Sequence, residues 1–304
     1  MDTSVKLGEL TLRNPVIPAS GTFGFGHEMA KWYDLNRLGA VALKGTTREA
    51  RFGNPTPRVA ECDAGLLNAV GLQNPGVEAV VREELPRLRA VYSGPVIANV
   101  CGFSAEEYVE VARRFDEAGA DILEINVSCP NVRHGGLAFG ASPEAAAAIT
   151  AAVKAAVKKP VYMKLSPNAA DIAAVARACE EAGADGLTLI NTLLGMRVNP
   201  RTGRPLVSTV TSGFSGPAIK PVALRMVFEV CRAVKIPVVG VGGIASVDDL
   251  LEFLSAGASA VQIGAQNLVD PYACLRVVEE LPKRMEEYGI RDLKSIIGRT
   301  GNGK

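Results

Sequence analysis

The stretch PVVGVGGIASVDDLLEFLSAGASAVQI, residues 237–263, contains one complete strand–helix–strand unit. An apolar run follows Pro237 and a second one follows Gly257, and short runs of this kind are typical of buried parallel strands. Between them, Ser246 and Asp249 have the spacing of a helix capping box, and apolar residues at helical spacing follow. The stretch therefore predicts a strand, an amphipathic helix and a second, parallel strand.

The same two strand signals recur along the chain. A proline before an apolar run occurs at positions 15, 95, 160 and 237, and a Gly-Ala pair occurs at positions 39, 119, 183 and 257. The two signals alternate, so strands are predicted to begin near residues 15, 40, 95, 120, 160, 184, 237 and 258. Eight such units predict a (β/α)8 TIM barrel as a single domain over residues 1–304, with an open doubly wound sheet as the alternative. VKLGELTLRN, residues 5–14, predicts an N-terminal hairpin at the barrel floor.

Composition narrows the classes of function. The chain has 304 residues, 48% hydrophobic and 21% charged, which suits one barrel with a large core. A net charge of +1 argues against a general nucleic-acid or membrane-surface binder. The 6 cysteines form no CxxC pair and only 2 histidines are present, so neither an iron–sulfur cage nor another metal site is expected. Unpaired thiols suit a cytoplasmic protein.

Polar and glycine residues follow the predicted strands. In a barrel the carboxyl ends of all strands meet at one mouth, where active sites form. The residues at these ends are Ser20, Lys44-Gly45, Asn99, Asn126, Lys164, Ile190-Asn191, Gly242-Gly243 and Gly264-Ala265. The glycines after the last two strands predict a phosphate cradle, and Ser246 opens the next helix. The lysines and asparagines predict a polar, planar ligand that is uncharged or anionic.

Three connections on this face are long, namely 45–75, 127–142 and 192–219. Loops of this length in a compact domain are usually functional. The second contains Cys129 in a polar, glycine-rich tract. A thiol near lysines can act as a base or a nucleophile, whereas the alternative is that Cys129 only fills space. His134 is a further candidate, either paired with Cys129 or solvated.

Seven motifs together resemble one family along essentially the whole chain. They are PASGTFGFG (18–26), NAVGLQNPG (68–76), NVSCPN (126–131), KLSPN (164–168), INTLLGM (190–196), SGPAIKP (215–221) and GVGGI (240–244). The sequence resembles the dihydroorotate dehydrogenase family. The resemblance implies an FMN-binding barrel that oxidises dihydroorotate to orotate in pyrimidine biosynthesis.

The resemblance also implies roles for individual residues. At FMN it places Ser20, Lys44, Gly45, Asn99, Asn126, Lys164, Ile190, Gly216, Gly242, Gly243, Gly264 and Ala265. At orotate it places Lys44, Asn68, Ala69, Val70, Gly71, Leu72, Asn126, Asn131, Asn191 and Thr192. Cys129 is expected to be the general base, and Lys164 is expected to stabilise negative charge on the reduced flavin.

The branch of the family is implied by two features. Quinone-linked, membrane-attached members have serine where this chain has Cys129, and they carry an N-terminal extension. The tract Gly71-Leu72-Gln73-Asn74 is similar to the NAD-linked branch, whereas the fumarate-linked alternative has GLPN. The NAD-linked branch implies a second subunit that carries FAD and a [2Fe–2S] cluster, with a homodimer of catalytic chains at the core of a heterotetramer.

Two other functions are compatible with a barrel of this kind. A Schiff-base aldolase would use Lys164 or Lys44 as its nucleophile and the glycine cradle for a substrate phosphate. A non-catalytic barrel would only bind a phosphorylated ligand or a partner subunit. It predicts that Cys129→Ser leaves every activity unchanged.

Overall fold

Fourteen strands are found in the part of the chain that this computed structural model describes, residues 1–128 and 140–301. In chain order they are β1 (Val5–Leu7), β2 (Leu10–Leu12), β3 (Val16–Pro18), β4 (Val41–Ala42), β5 (Val59–Cys62), β6 (Gly65–Asn68), β7 (Val96–Val100), β8 (Ile122–Asn126), β9 (Val161–Lys164), β10 (Gly186–Leu189), β11 (Leu193–Gly195), β12 (Ser212–Ser215), β13 (Val238–Val241) and β14 (Ala260–Ile263).

Eight of these strands form a parallel barrel. Their order around the sheet is β3-β14-β13-β10-β9-β8-β7-β4. The two edge strands meet, because the backbone N–H of Gly39, just before β4, donates to the carbonyl oxygen of Val16 in β3 at 3.0 Å. The predicted (β/α)8 barrel is therefore confirmed and the open doubly wound sheet is wrong. Each barrel strand begins within two residues of its predicted start.

Helices connect most of the barrel strands. In chain order they are α1 (Val77–Ala79), α2 (Leu85–Arg89), α3 (Ala105–Glu117), α4 (Pro143–Lys154), α5 (Ile172–Glu181), α6 (Lys220–Ala233), α7 (Val247–Ala256), α8 (Gln266–Val269) and α9 (Ala273–Glu287). A π-helical segment, Val80–Glu84, joins α1 to α2. The first unit differs from the repeat, because β3 and β4 are connected through 3-10 turns at His27–Lys31 and Leu35–Arg37.

The quoted unit folds as its sequence predicts. The Ser246 side chain accepts a hydrogen bond from the Asp249 N–H, and the Asp249 carboxylate accepts one from the Ser246 N–H, which completes the capping box at α7. Leu250 and Leu254 on the apolar face of α7 are fully buried against the barrel. Helix α3 begins differently, since the Glu107 carboxylate accepts from the N–H of Phe103 instead of that of Ser104.

The N-terminal hairpin lies at the end of the barrel opposite the mouth. Strands β1 and β2 pair in antiparallel fashion, and Val5, Leu7 and Leu12 are buried. Gly8 in the turn lies beside the hydroxyl of Tyr162, which is near the start of β9. The hairpin therefore covers the barrel floor, as predicted, and leaves the opposite end for the site.

Candidate active site at the barrel mouth

One cavity lies at the carboxyl ends of the barrel strands. The predicted FMN-binding residues that line it are Ser20, Lys44, Gly45, Asn99, Asn126, Lys164, Ile190, Gly216, Gly242, Gly243, Gly264 and Ala265. The predicted substrate residues that line the same cavity are Asn68, Val70, Gly71, Leu72, Asn191 and Thr192, and the lining residues together are called the wall below. Ala69 is fully buried and is not in this wall; its N–H donates to the carbonyl oxygen of Arg58. Cys129, Asn131 and His134 lie outside the described residues.

A small antiparallel sheet forms the side of the mouth. Its strand order is β11-β12-β6-β5, so it combines segments from the two long connections 45–75 and 192–219. It brings Asn68 of β6 next to Gly213 of β12, whose carbonyl oxygen accepts from the Asn68 side chain at 3.4 Å. Both connections were expected to be loops, so this sheet is not predicted by the sequence. The sequence contains a local signal, because Asp63-Ala64 separates two short strand-like runs. In the structure these two residues form the turn between β5 and β6, where Ala64 has a φ of 50°.

Hydrogen bonds between side chains connect the polar wall. The Asn126 amide oxygen accepts from the side chains of Ser128 at 3.0 Å and of Asn191 at 3.3 Å. The Asn126 amide nitrogen donates to the Asn99 oxygen at 3.3 Å. These three asparagines come from different barrel strands or their ends, so the barrel closure brings them together. The wall thus presents planar amides, which suit a planar ligand with alternating donors and acceptors.

Lys164 lies at the bottom of this wall, with 5% of its surface exposed. Its ammonium nitrogen is 3.5 Å from a carboxylate oxygen of Glu124 and 3.5 Å from the side-chain oxygen of Gln262. Both partners are fully buried, and sequence reasoning missed them. The signal available was one acidic residue inside the apolar strand ILEIN, residues 122–126, because an ionised side chain is rarely buried without a partner.

The glycines after β13 allow close approach of the backbone to α6. Gly242 has a φ of 132°, and a Cβ on it would lie 2.6 Å from the Cβ of Ala223. Gly243 has a φ of 74°, and its Cβ would lie 2.8 Å from atoms of Lys220. Among the described residues, no acceptor is found for the backbone N–H groups of Gly243, Ile244 and Ala265, all of which line the cavity. These N–H groups fit a phosphate.

The start of helix α7 is not part of this cradle. The Asp249 carboxylate accepts hydrogen bonds from the N–H groups of Ala245 and Ser246, both at 2.9 Å. Burial alone would raise the pKa of Asp249, but hydrogen bonds from Lys220, Ala245 and Ser246 outweigh it and hold that pKa below its usual value. An internal carboxylate therefore already satisfies the N–H groups that begin α7, and the predicted phosphate cradle is left to the glycines after β13 and β14.

The close approach at Gly242 can be tested by asking whether its packing against α6 requires glycine. We expect Gly242→Ala to lower the free energy of unfolding by about 1–3 kcal/mol more than Gly119→Ala does. Both glycines have positive φ, at 132° and 83°, but a Cβ at Gly119 would meet no atom within 4 Å. Chemical denaturation of both variants measures the difference. Equal losses of stability would show that the contact with α6 does not require glycine.

Four described thiols are poor candidates for a base. Burial raises the pKa of Cys179 to about 11 and that of Cys231 to about 12, and it also raises the pKa of Cys274 and Cys62. These thiols therefore stay protonated near neutral pH. Because only the thiolate is reactive, they are not expected to act as a base.

Within residues 1–128 and 140–301, no helix is long and apolar enough to cross a membrane.

Comparisons with known proteins show the family of the chain. The family model for dihydroorotate dehydrogenase matches residues 3–285. The catalytic subunit of dihydroorotate dehydrogenase B (NAD(+)) from Anoxybacillus flavithermus is 57% identical over 300 residues, covering 98% of this chain and 96% of the relative. The protein of the same name from Geobacillus kaustophilus is 54% identical over 298 residues, covering 98% and 95%. The one from Listeria innocua is 54% identical over 294 residues, covering 96% of each chain.

Proposed function

Because the chain belongs to the dihydroorotate dehydrogenase family, we propose that it oxidises (S)-dihydroorotate to orotate in pyrimidine biosynthesis with FMN bound at the barrel mouth. The observation that carries the proposal is the single cavity that combines Lys44, Lys164 and three asparagines with a glycine cradle. Amides suit the flavin and orotate rings, the cradle suits the FMN phosphate, and the lysines suit negative charge.

FMN would be held along the wall already described. Gly216, Gly242, Gly243, Gly264 and Ala265 would surround its phosphate through backbone N–H groups. Ser20, Gly45, Asn99, Asn126, Lys164 and Ile190 would surround its ring system. Gly45 supports this arrangement, because a Cβ there would lie 2.8 Å from the Asn99 oxygen and would displace an amide of the wall.

The substrate would lie between the ring system and the small sheet. Lys44, Asn68 and the backbone from Val70 to Leu72 would bind its carboxylate, and Asn126, Asn131, Asn191 and Thr192 would bind its amide groups. Cys129 would take the proton from C5 as general base. FMN held by these residues would supply the acceptor for the hydride that leaves C6. Loss of one proton and one hydride converts the CH–CH bond to the double bond of orotate.

Electrons would leave the site through a partner. The relatives are named NAD(+)-linked catalytic subunits, which supports a second subunit for this chain. FAD and a [2Fe–2S] cluster would lie on that partner, and two copies of each chain would form a heterotetramer around a homodimer of catalytic chains.

The described cysteines Cys62, Cys101, Cys179, Cys231 and Cys274 are free thiols, which supports a cytoplasmic location.

The electron acceptor tests this assignment against its alternatives. We expect the purified chain to be yellow from FMN and to reduce NAD⁺ with dihydroorotate only when the partner subunit is added. Rapid reduction of fumarate by the isolated chain would instead assign the fumarate-linked branch. A colourless chain with a borohydride-trapped lysine adduct would favour the aldolase. That alternative is disfavoured by the position of Lys164, whose ammonium faces a carboxylate.

A further inference from the structure

A buried carboxylate lies directly beneath the polar wall. Glu124 is in β8, is 0% exposed, and is not among the residues that line the cavity. One of its oxygens accepts from the Asn99 amide nitrogen at 2.6 Å and lies 3.5 Å from the Lys164 ammonium. The other oxygen accepts from the Gln262 amide nitrogen at 2.6 Å. These three partners, Asn99, Gln262 and Lys164, are all donors.

The Glu124 carboxylate determines the orientation of the two side-chain amides that contact it. An ionised carboxylate can only accept hydrogen bonds, so Asn99 and Gln262 must both direct their NH₂ groups toward Glu124. The oxygen of Gln262 is then left to face Lys164, at 3.5 Å. The oxygen of Asn99 is left to accept from Asn126, at 3.3 Å. An amide turned the other way would place its oxygen against the carboxylate and its NH₂ group against the donor of Asn126 or Lys164.

The direction of hydrogen-bond donation that is fixed at Asn99 continues to the next asparagines of the wall. Because the Asn126 nitrogen donates to Asn99, its oxygen is left to accept from Asn191 at 3.3 Å. The Asn191 oxygen in turn accepts from the backbone N–H of Thr192 at 2.8 Å. These hydrogen bonds form one series, the amide chain, which runs from Glu124 through Asn99, Asn126 and Asn191 to Thr192. In each bond the donor lies on the side of Thr192 and the acceptor on the side of Glu124. All of its members except Glu124 line the cavity.

We propose that Glu124 is a positioning residue that fixes the donor and acceptor pattern of this amide chain and balances the positive charge of Lys164 at the cavity. The inference rests on the proposed function, because FMN is the ligand that would meet the pattern. Removal of the carboxylate charge leaves Lys164 without its only close anionic partner among the described residues. The site then favours the more negative, reduced form of FMN over the oxidised form.

The first test replaces Glu124 with glutamine, which has the same shape. We expect the ratio of FMN affinities, reduced over oxidised, to rise about tenfold in Glu124→Gln. That ratio corresponds to an upward shift of the reduction potential by about 30 mV for a two-electron couple. The potential of the FMN-loaded chain is measured by anaerobic photoreduction with a reference dye. Asp121→Asn is the matched control, since it removes a carboxylate just before β8, where Asp121 pairs with Arg89 at 2.8 Å.

A second variant separates positioning from a loss of folding. In Glu124→Gln/Gln262→Glu the carboxylate moves to the neighbouring side chain, and total charge and volume are conserved. Glutamine at 124 can still accept from Asn99 and donate to the new carboxylate, which lies beside Lys164. We therefore expect the double variant to fold and to restore the wild-type potential, even where the single variant is too unstable to purify.

The outcomes distinguish the inference from the proposed function. An unchanged affinity ratio in Glu124→Gln, an equal shift in Asp121→Asn, or a double variant that keeps the shift or fails to fold would each overturn the inference while FMN binding by the wild type stands. A wild-type chain that binds no FMN would overturn the proposed function and the inference with it.

Discussion

Lys164→Gln is expected to slow the reduction of bound FMN by dihydroorotate about a hundred- to a thousandfold. Lys164 is the buried cation at the bottom of the polar wall, where 5% of its surface is exposed. A preorganised charge that stabilises developing negative charge in a site with little water contributes an effect of this size. Glutamine keeps a donor toward Glu124, and the carboxylate also keeps its hydrogen bonds from Asn99 and Gln262. Stopped-flow absorbance of the flavin measures the rate.

A matched control separates this effect from the loss of any paired lysine. Lys154 in α4 pairs with Asp185 at 2.6 Å, outside the cavity wall. We expect Lys154→Gln to change the rate of flavin reduction less than twofold, although it removes an ion pair that is shorter than the 3.5 Å pair of Lys164 with Glu124. Retention of the wild-type rate in Lys164→Gln would show that the charge at this position does not assist the reaction.

Cys129→Ala is expected to keep FMN bound and to slow its reduction about a hundred- to ten-thousandfold at neutral pH. The expectation follows from the role of a general base, whose removal typically costs a factor of this size. Cys129 lies outside the described residues, so the argument rests on its place in the NVSCPN motif. Flavin absorbance gives both the bound FMN content and the rate in one stopped-flow experiment.

Cys62→Ala serves as the control for the loss of a thiol. Cys62 ends β5 in the small sheet beside the mouth, and burial raises its pKa. We expect this variant to reduce its flavin at the wild-type rate, because a protonated thiol does not accept a proton. If Cys129→Ala also reduced its flavin at the wild-type rate, the base would have to be another group.

The barrel could be predicted because its signals are local. Each parallel strand is a short apolar run next to a proline or a Gly-Ala pair, and strands such as β13 and β14 are buried along their whole length. The residues at the strand ends followed directly, since barrel closure brings those ends together whatever the details of the loops. Asn99, Asn126 and Lys164 were found in this way.

The remaining features depend on contacts that are distant in sequence. Strand β6 pairs with β12, whose residues are more than a hundred positions later, and neither strand has a long apolar pattern. Glu124 was overlooked because its partners Asn99 and Gln262 come from other strands of the barrel. A single acidic residue in a strand shows its role only when the donors around it are known. Asp249 at α7 is a similar case, since its contacts with Lys220 and with the N–H groups of Ala245 and Ser246 appear only in the fold.

The central claim is that this barrel binds FMN and transfers electrons to it from dihydroorotate. The most direct measurement is an anaerobic titration of the purified, FMN-containing chain with dihydroorotate, followed by flavin absorbance and orotate content. We predict complete bleaching of the flavin with formation of one orotate for each FMN reduced. A flavin that stays oxidised in the presence of excess dihydroorotate, with no orotate formed, would contradict the claim.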